Sequence, residues 1–69
     1  MIKIDGNIIS RSGFIIGKIS GEYLCDKYGN IKGKFRDKML MDKAGNKIAM
    51  YNGSIEDMVK KAIENRVIG

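Results

Sequence analysis

The chain has 69 residues, enough for one domain, residues 1–69, with a small core. Thirteen Lys and Arg against eight Asp and Glu give a formal net charge of +5, which favours anionic partners. One cysteine excludes an internal disulfide, and a chain without histidine is a poor candidate for a structural zinc site. Self-association is therefore the expected source of added stability, and we expect a homo-oligomer.

The apolar segments are too short to span a membrane. The longest uninterrupted run is Phe14-Ile15-Ile16, and the first residues lack the apolar stretch of a signal peptide. An unpaired cysteine and five methionines suit a reducing compartment. We therefore expect a cytoplasmic protein with no membrane partner.

Ile2-Lys3-Ile4 at the start of the chain is followed, from residue 5 to residue 52, by a pattern with a 16-residue period. Each copy consists of an apolar segment, a turn, a second apolar segment and another turn. This pattern predicts three consecutive β-hairpins, preceded by Ile2-Lys3-Ile4 as a half-unit. Six positions keep the period: Gly13/Gly29/Gly45, Gly17/Gly33/Ala49, Ser10/Asp26/Asp42, Arg11/Lys27/Lys43, Ile8/Leu24/Leu40 and Ile19/Phe35/Tyr51.

Two kinds of turn separate the predicted strands. Residues 26–30 and 42–46 begin with an aspartate that caps a type I turn and reach a glycine suited to positive φ. Residues 10–13 repeat this pattern with serine as a weaker cap. The second kind has two residues and is predicted at Asp5-Gly6, Ser20-Gly21 and Arg36-Asp37.

The short connections predict a mainly β protein whose sheet is an antiparallel meander. Gly17 and Gly33 lie inside strands, which indicates strong bending or the close approach of another backbone or helix. Apolar residues occupy both faces of several strands, so either the sheet curls into a barrel-like shape or a second apolar face meets a partner. The strands are predicted near residues 2–4, 7–10, 14–20, 22–26, 30–36, 38–42 and 46–51.

After the repeats the pattern changes to that of one amphipathic helix, residues 54–66. Ser54 is a suitable N-cap, and Asp57 stands at the capping-box position. The apolar face, which we expect to cover one side of the sheet, consists of Ile55, Met58, Val59, Ala62 and Ile63.

No residue pattern predicts catalysis, a metal or a cofactor. Cys25 has no histidine to activate it and aligns with Ile9 and Met41, so it is interpreted as a small buried hydrophobic residue. Asp26 and Asp42 are explained by turn capping rather than by calcium binding. The glycines are spaced as hairpin turns and form no phosphate-binding motif. We expect a protein that is not an enzyme.

The strongest functional feature is a basic strand. Lys32, Lys34 and Arg36 alternate with Asn30 along it, which predicts that all project from one face. Lys18 holds the place of Lys34 in copy one, Lys38 follows the next turn, and Tyr23, Tyr28 and Tyr51 are candidate stacking surfaces. The predicted ligand-binding residues are Lys18, Lys32, Lys34, Arg36, Lys38 and Tyr23.

The segment Asp26-Lys-Tyr-Gly-Asn-Ile-Lys-Gly-Lys-Phe35, with its echo from Ser10 to Ile19, resembles short D-x-x-G-N-x-I-G-K-I hairpin repeats of uncharacterised bacterial and phage proteins. The resemblance covers residues 5–52 and implies hairpin geometry, without implying an activity. Copy three departs from it, since Ala49 and Met50 replace the Gly-Lys pair of the other copies.

Two functions fit these features. The first is a small binding protein whose basic β-surface takes an anionic ligand, a nucleotide or nucleic acid. The alternative is a protein-interaction module or inhibitor that docks on a protein target through apolar strand faces or a sheet edge. A purely structural assembly unit is a third possibility.

Overall fold

The structure is a computed structural model that describes residues 1–69 as seven strands followed by one helix. Each bound lies within two residues of its predicted position. The strands are β1 (Ile2–Asp5), β2 (Ile8–Arg11), β3 (Phe14–Ser20), β4 (Tyr23–Asp26), β5 (Ile31–Arg36), β6 (Met39–Asp42) and β7 (Lys47–Met50), and the helix is α1 (Ile55–Glu64).

The seven strands form one sheet in the order β1-β2-β3-β4-β5-β6-β7, and every neighbouring pair is antiparallel. The predicted meander is thus confirmed. The two end strands, β1 and β7, do not pair with each other, so the sheet does not close into a barrel. The sheet therefore remains open, and its second face, which also carries apolar residues, is not enclosed within the chain.

The two-residue turns lie one residue later than predicted, at Gly6-Asn7, Gly21-Glu22 and Asp37-Lys38. In the first two, only the glycine has positive φ, +61° and +60°, which matches a type II′ turn. Copy three has no glycine here, and both residues take positive φ, +51° and +66°, which matches a type I′ turn. The hairpin is therefore kept while its turn type changes.

The capped turns of copies two and three have nearly identical geometry. The Oδ1 atom of Asp26 accepts from the backbone N–H of Tyr28 and of Asn30, each at 2.9 Å. In copy three, Asp42 Oδ1 accepts from the backbone N–H of Ala44 at 2.9 Å and of Asn46 at 2.8 Å. In copy one, by contrast, β2 continues to Arg11 and the turn is Ser12-Gly13, so the prediction that Ser10 caps it is wrong.

A β-bulge recurs at one position of the repeat. The register shifts leave one residue without a cross-strand partner in β3, β5 and β7: Ile16, Lys32 and Ile48. Ile16 and Ile48 pack against the core. A bulge redirects side chains out of the simple alternation, so residues before and after it no longer follow one pattern.

Helix α1 begins after Ser54, whose hydroxyl accepts from the backbone N–H of Asp57 at 3.1 Å. The Asp57 carboxylate in turn accepts from the N–H of Asn52 at 2.8 Å, two residues before the N-cap. This fixes the chain between β7 and the helix. The core combines helix and sheet residues: Ile9, Leu24, Phe35, Leu40, Tyr51, Met58, Val59, Ala62 and Ile68.

The five residues after the helix turn back toward the sheet, and the last three, residues 67–69, form the C-terminal tail. Asn65 caps the helix, Arg66 takes φ +58°, and the N–H of Val67 donates to the carbonyl of Ala62 at 2.8 Å. This left-handed residue reverses the chain in the manner of a Schellman motif. The sequence predicts a helix that continues to residue 66, so it does not predict this reversal of the chain.

The reversed tail packs directly on the strand glycines. A Cβ at Gly33 would lie 3.1 Å from Val67 Cγ1 and 2.9 Å from the carbonyl oxygen of Met41. A Cβ at Gly17 would lie 3.2 Å from Ile68 Cδ1, and Ile68 is buried. Close approach is thus what the structure shows at both glycines, and the approaching groups are side chains of the C-terminal tail rather than the helix.

Candidate ligand-binding face

The two faces of the sheet differ in what covers them. Leu24 and Leu40 point toward α1 and are fully buried, whereas their strand neighbours Tyr23 and Met41 point to the opposite side. The helix and the tail pack on the first side, so the second is open to solvent. This open side, the outer face, carries Lys3, Asp5, Ile8, Ser10, Ile15, Lys18, Ser20, Tyr23, Cys25, Ile31, Lys34, Arg36, Met39, Met41, Lys47 and Met50.

Strand pairing alternates cations with apolar or aromatic side chains across the outer face. Tyr23 pairs with Lys34, Lys34 with Met41, and Met41 with Lys47. Because neighbouring strands lie about 4.8 Å apart, this row extends over roughly 14 Å. The two lysines in it stand two strands apart, with a methionine between them.

A depression of about 390 Å³ in the outer face extends this row to β3. Lys18 and Tyr23 both line it, together with Ile31 and Asn7. Cys25 also lines it and is only 5% exposed, which confirms its interpretation as a buried apolar residue. We call the resulting row the lysine strip: Lys18, Tyr23, Lys34, Met41 and Lys47.

Three of the predicted site residues therefore come together. Lys18 and Lys34 are half-buried on β3 and β5, and Tyr23 stands on β4 between them with 42% of its surface exposed. None of the ion pairs in the structure involves Lys18, Lys34 or Lys47. The charges of the lysine strip are thus available to an external anion.

The other predicted cations lie elsewhere or are neutralised. Lys32 sits at the bulge of β5, and its Nζ is 4.0 Å from a carboxylate oxygen of Asp26. The residues equivalent to Lys32 in copies one and three pack against the core, and Asp26 is on the same side of β4 as buried Leu24. Lys32 therefore belongs to the helix side, and the predicted alternation with Lys34 is interrupted.

Arg36 does lie on the outer face, but acidic groups surround it. Its Nε atom is 3.8 Å from Glu22 Oε2 and 3.8 Å from Asp37 Oδ2. Lys38 is the second residue of the type I′ turn, and its aliphatic chain lies beside Gly53 in the connection to α1. Both residues are thus engaged at one end of the sheet, and neither lines the depression.

Of the three tyrosines, only Tyr23 stands in the lysine strip. Tyr51 is buried and packs edge-on against Phe35, with 6.4 Å between ring centroids. Burial raises the pKa of Tyr51 above its ordinary value. Tyr28 is 77% exposed in a turn, with Lys27 Nζ 5.2 Å from its ring centroid.

Sequence reasoning missed Lys47 and Met41. Lys47 reaches the strip because the bulge at Ile48 changes which residue of β7 faces Met41. A signal was present in the repeat, since Ile16 and Ile48 are apolar where Lys32 is charged. An isoleucine at the same place in two of three copies favours a core-facing position.

The turn aspartates are explained by their own hydrogen bonds. For Asp26, desolvation raises the pKa, but hydrogen bonds from Asn30 and Tyr28 outweigh it and the pKa is lowered. For Asp42, the backbone N–H and side-chain amide of Asn46 lower the pKa, joined by the N–H of Ala44. These carboxylates are held ionised as turn caps, and no group of three or more potential metal-ligating side chains occurs in the structure.

The helix of the structure is too short to cross a membrane. Comparison with protein-family models, with curated proteins and with solved structures finds no match to this chain. The class that the fold and face define is a seven-stranded antiparallel meander with a C-terminal helix on one side and a basic, partly apolar surface on the other.

Proposed function

We propose that the protein binds single-stranded nucleic acid on the lysine strip, without catalysing a reaction. The observation that carries this proposal is the alternation of free lysines with apolar and aromatic side chains on one exposed sheet face. Phosphates need cations, and unpaired bases need flat or apolar surfaces next to them. We place this function in the cytoplasm, which the unpaired Cys25 favours.

The positive charge of the outer face favours an anionic ligand over a second copy of the chain as its binding partner. Two copies placed face to face would bring Lys18, Lys34 and Lys47 of both copies onto one interface, and Asp5 is the only acidic strand residue of the outer face. A phosphate backbone has the opposite sign. The three lysines stand on β3, β5 and β7, one on every second strand, so a ligand that crosses the strands passes a cation on each of these three.

Bases would occupy the places between the lysines. The ring of Tyr23 is exposed next to the depression, and Met41 separates Lys34 from Lys47. Stacking on an aromatic side chain tolerates any base, because each base has a π-face. The proposed binding is therefore governed by charge and stacking rather than by sequence.

The test is fluorescence anisotropy with a labelled single-stranded oligothymidine at several salt concentrations. Three phosphate contacts on a single strand predict a slope of about −2 in log affinity against log salt. Tyr23→Ala should weaken binding by about 5- to 150-fold, because each stacked base contributes about 1–3 kcal/mol. Absence of binding at low salt, or an affinity that does not change with salt concentration, would contradict the proposal.

A matched pair of variants separates the strip from net charge. The variant Lys18→Glu/Lys34→Glu/Lys47→Glu should abolish binding. The variant Lys27→Glu/Lys38→Glu/Lys43→Glu changes the net charge equally, but its residues lie in turns, so most of the affinity should remain. Equal loss in both variants would show that overall charge, and not this face, attracts the ligand.

The second candidate function is docking on a protein target. Its support is the exposed apolar surface of the outer face, where Ile31 is 45% and Met50 48% exposed. Docking of this kind would depend weakly on salt and would be lost in Ile31→Ser/Met50→Ser. Binding to nucleic acid should fall much less in that double variant than in Tyr23→Ala, because Tyr23 and the three lysines of the strip are unchanged.

A further inference from the structure

The two edges of the sheet are unequal. Strand β7 carries the bulge at Ile48, a device that discourages further strand pairing. Strand β1 pairs with β2 in an uninterrupted register over all four residues and contains neither proline nor a bulge. Its other side has no partner strand. β1 is therefore the edge that is ready to accept another strand.

The backbone groups free on that edge follow from the pairing. The carbonyl of Met1 accepts from the N–H of Ser12, and bonded residues alternate along an antiparallel strand. Lys3 and Asp5 therefore turn their backbone groups toward β2. Ile2 and Ile4 turn their N–H and C=O groups outward, where they remain unpaired within the chain.

Side-chain charges select one register for a second copy. Residues that face each other across an antiparallel pair lie on the same side of the sheet, so Lys3 can oppose Lys3 or Asp5 of a second β1. The first register places like charges together. The second places Ile4 opposite Ile4 and creates two Lys3–Asp5 pairs, and it uses the outward backbone groups of Ile4 for the central hydrogen bonds.

We propose that two copies of this chain pair through β1 in this second register, with Ile4 on the two-fold axis. The dimer contains one continuous fourteen-stranded sheet, since each copy supplies seven strands. Both helices then lie on one side of it and both outer faces on the other. This proposal does not depend on the ligand of the lysine strip.

A groove beside β1 supports the choice of a second copy. Its volume is about 620 Å³, and it lies between β1 and α1. Apolar side chains of Ile2, Ile4 and Ile63 line it, and Glu56 and Lys60 bring both charge signs to its rim. A two-fold axis at β1 brings the two grooves together, so the isoleucines of each copy are covered by those of the other. A small domain gains stability from such association.

The test is sedimentation velocity over a dilution series, which measures mass as a function of concentration. The unchanged chain should show twice the chain mass at high concentration. Lys3→Asp should raise the dissociation constant by about tenfold or more, because two attractive pairs become two repulsive ones. Asp5→Lys should have the same effect, and the double variant Lys3→Asp/Asp5→Lys should restore dimerisation by exchanging the partners.

Lys47→Asp on the opposite edge is the matched control and should leave the dimer intact. Circular dichroism of every variant distinguishes loss of pairing from loss of fold. If the measured mass equals that of one chain at all concentrations, the proposal is wrong. A folded double variant that fails to dimerise would also overturn it, because it would separate association from the Lys3–Asp5 register.

Discussion

The helix side and the outer face of the sheet are built from alternate residues of the same strands, yet they differ in burial and in side-chain chemistry. On the helix side, Leu24 and Leu40 are fully buried, and Gly17 and Gly33 make room for the tail. On the outer face, lysines, a tyrosine and methionines stand without a covering segment. The helix side therefore holds the buried core, whereas the outer face is open to solvent and is the surface on which we propose ligand binding.

This division explains how a short chain can keep apolar residues on both sides of its sheet. The ten-residue helix and the tail of residues 67–69 cover a single face, and the lysines keep the second face compatible with water. Substitutions on the two faces should therefore act on different quantities. Changes on the helix side should alter the free energy of unfolding, and changes on the outer face should alter ligand affinity.

The largest expected effect is a difference in the free energy of unfolding between variants at two neighbouring residues of β6. Leu40→Ala removes a fully buried side chain and should lower the free energy of unfolding by about 2–5 kcal/mol. Met41→Ala, one residue further on the outer face, should cost about 1 kcal/mol because Met41 is only half-buried. Urea denaturation followed by circular dichroism measures both. Similar losses would mean that the outer face is also a core.

The next effect concerns the glycine under the tail. Gly33→Ala should destabilise the fold by about 1–3 kcal/mol, because the new methyl group meets Val67 and the carbonyl of Met41. Val67→Ala should relieve part of this cost, and a double-mutant cycle measures the coupling. Ala49 occupies the equivalent place in copy three, so Ala49→Gly is the control and should cost no more than about 1 kcal/mol. A fully additive cycle would contradict tail packing at Gly33.

The helix side was largely predictable from the sequence. The 16-residue period, the turn aspartates and the N-cap at Ser54 are local signals, and they located every strand and the helix. The outer face was predicted less well, because a bulge shifts side chains by one position while the apolar pattern barely changes. Lys32 was assigned to the wrong side for that reason, and Lys47 was missed. The tail was missed because its reversal depends on Arg66 in a left-handed conformation, which no sequence preference signals.

Lys32 and Lys34 sharpen the comparison between faces, since they are two residues apart on one strand. Lys32→Ile restores the isoleucine of the other copies and should raise the free energy of unfolding by about 1 kcal/mol, with little change in affinity. Lys34→Ile should leave stability within about 0.5 kcal/mol and should lower the salt slope of binding by about 0.7. Chemical denaturation and the anisotropy titration measure the two quantities. If instead Lys32→Ile lowers the affinity and Lys34→Ile raises the free energy of unfolding, Lys32 lies on the outer face.

The smallest expected effect lies at the turns, where the two faces meet. The pKa values of Asp26 and Asp42 are lowered from 3.8, so their contribution to stability is complete above about pH 4 and is lost as the pH falls through the lower folded values. Asp26→Asn and Asp42→Asn should each flatten the acid side of a plot of melting temperature against pH. Lys32 adds to the lowering at Asp26, whereas its equivalent in copy three is Ile48, so salt should reduce the effect only for Asp26. Equal salt dependence at both turns would argue against a Lys32–Asp26 contact on the helix side.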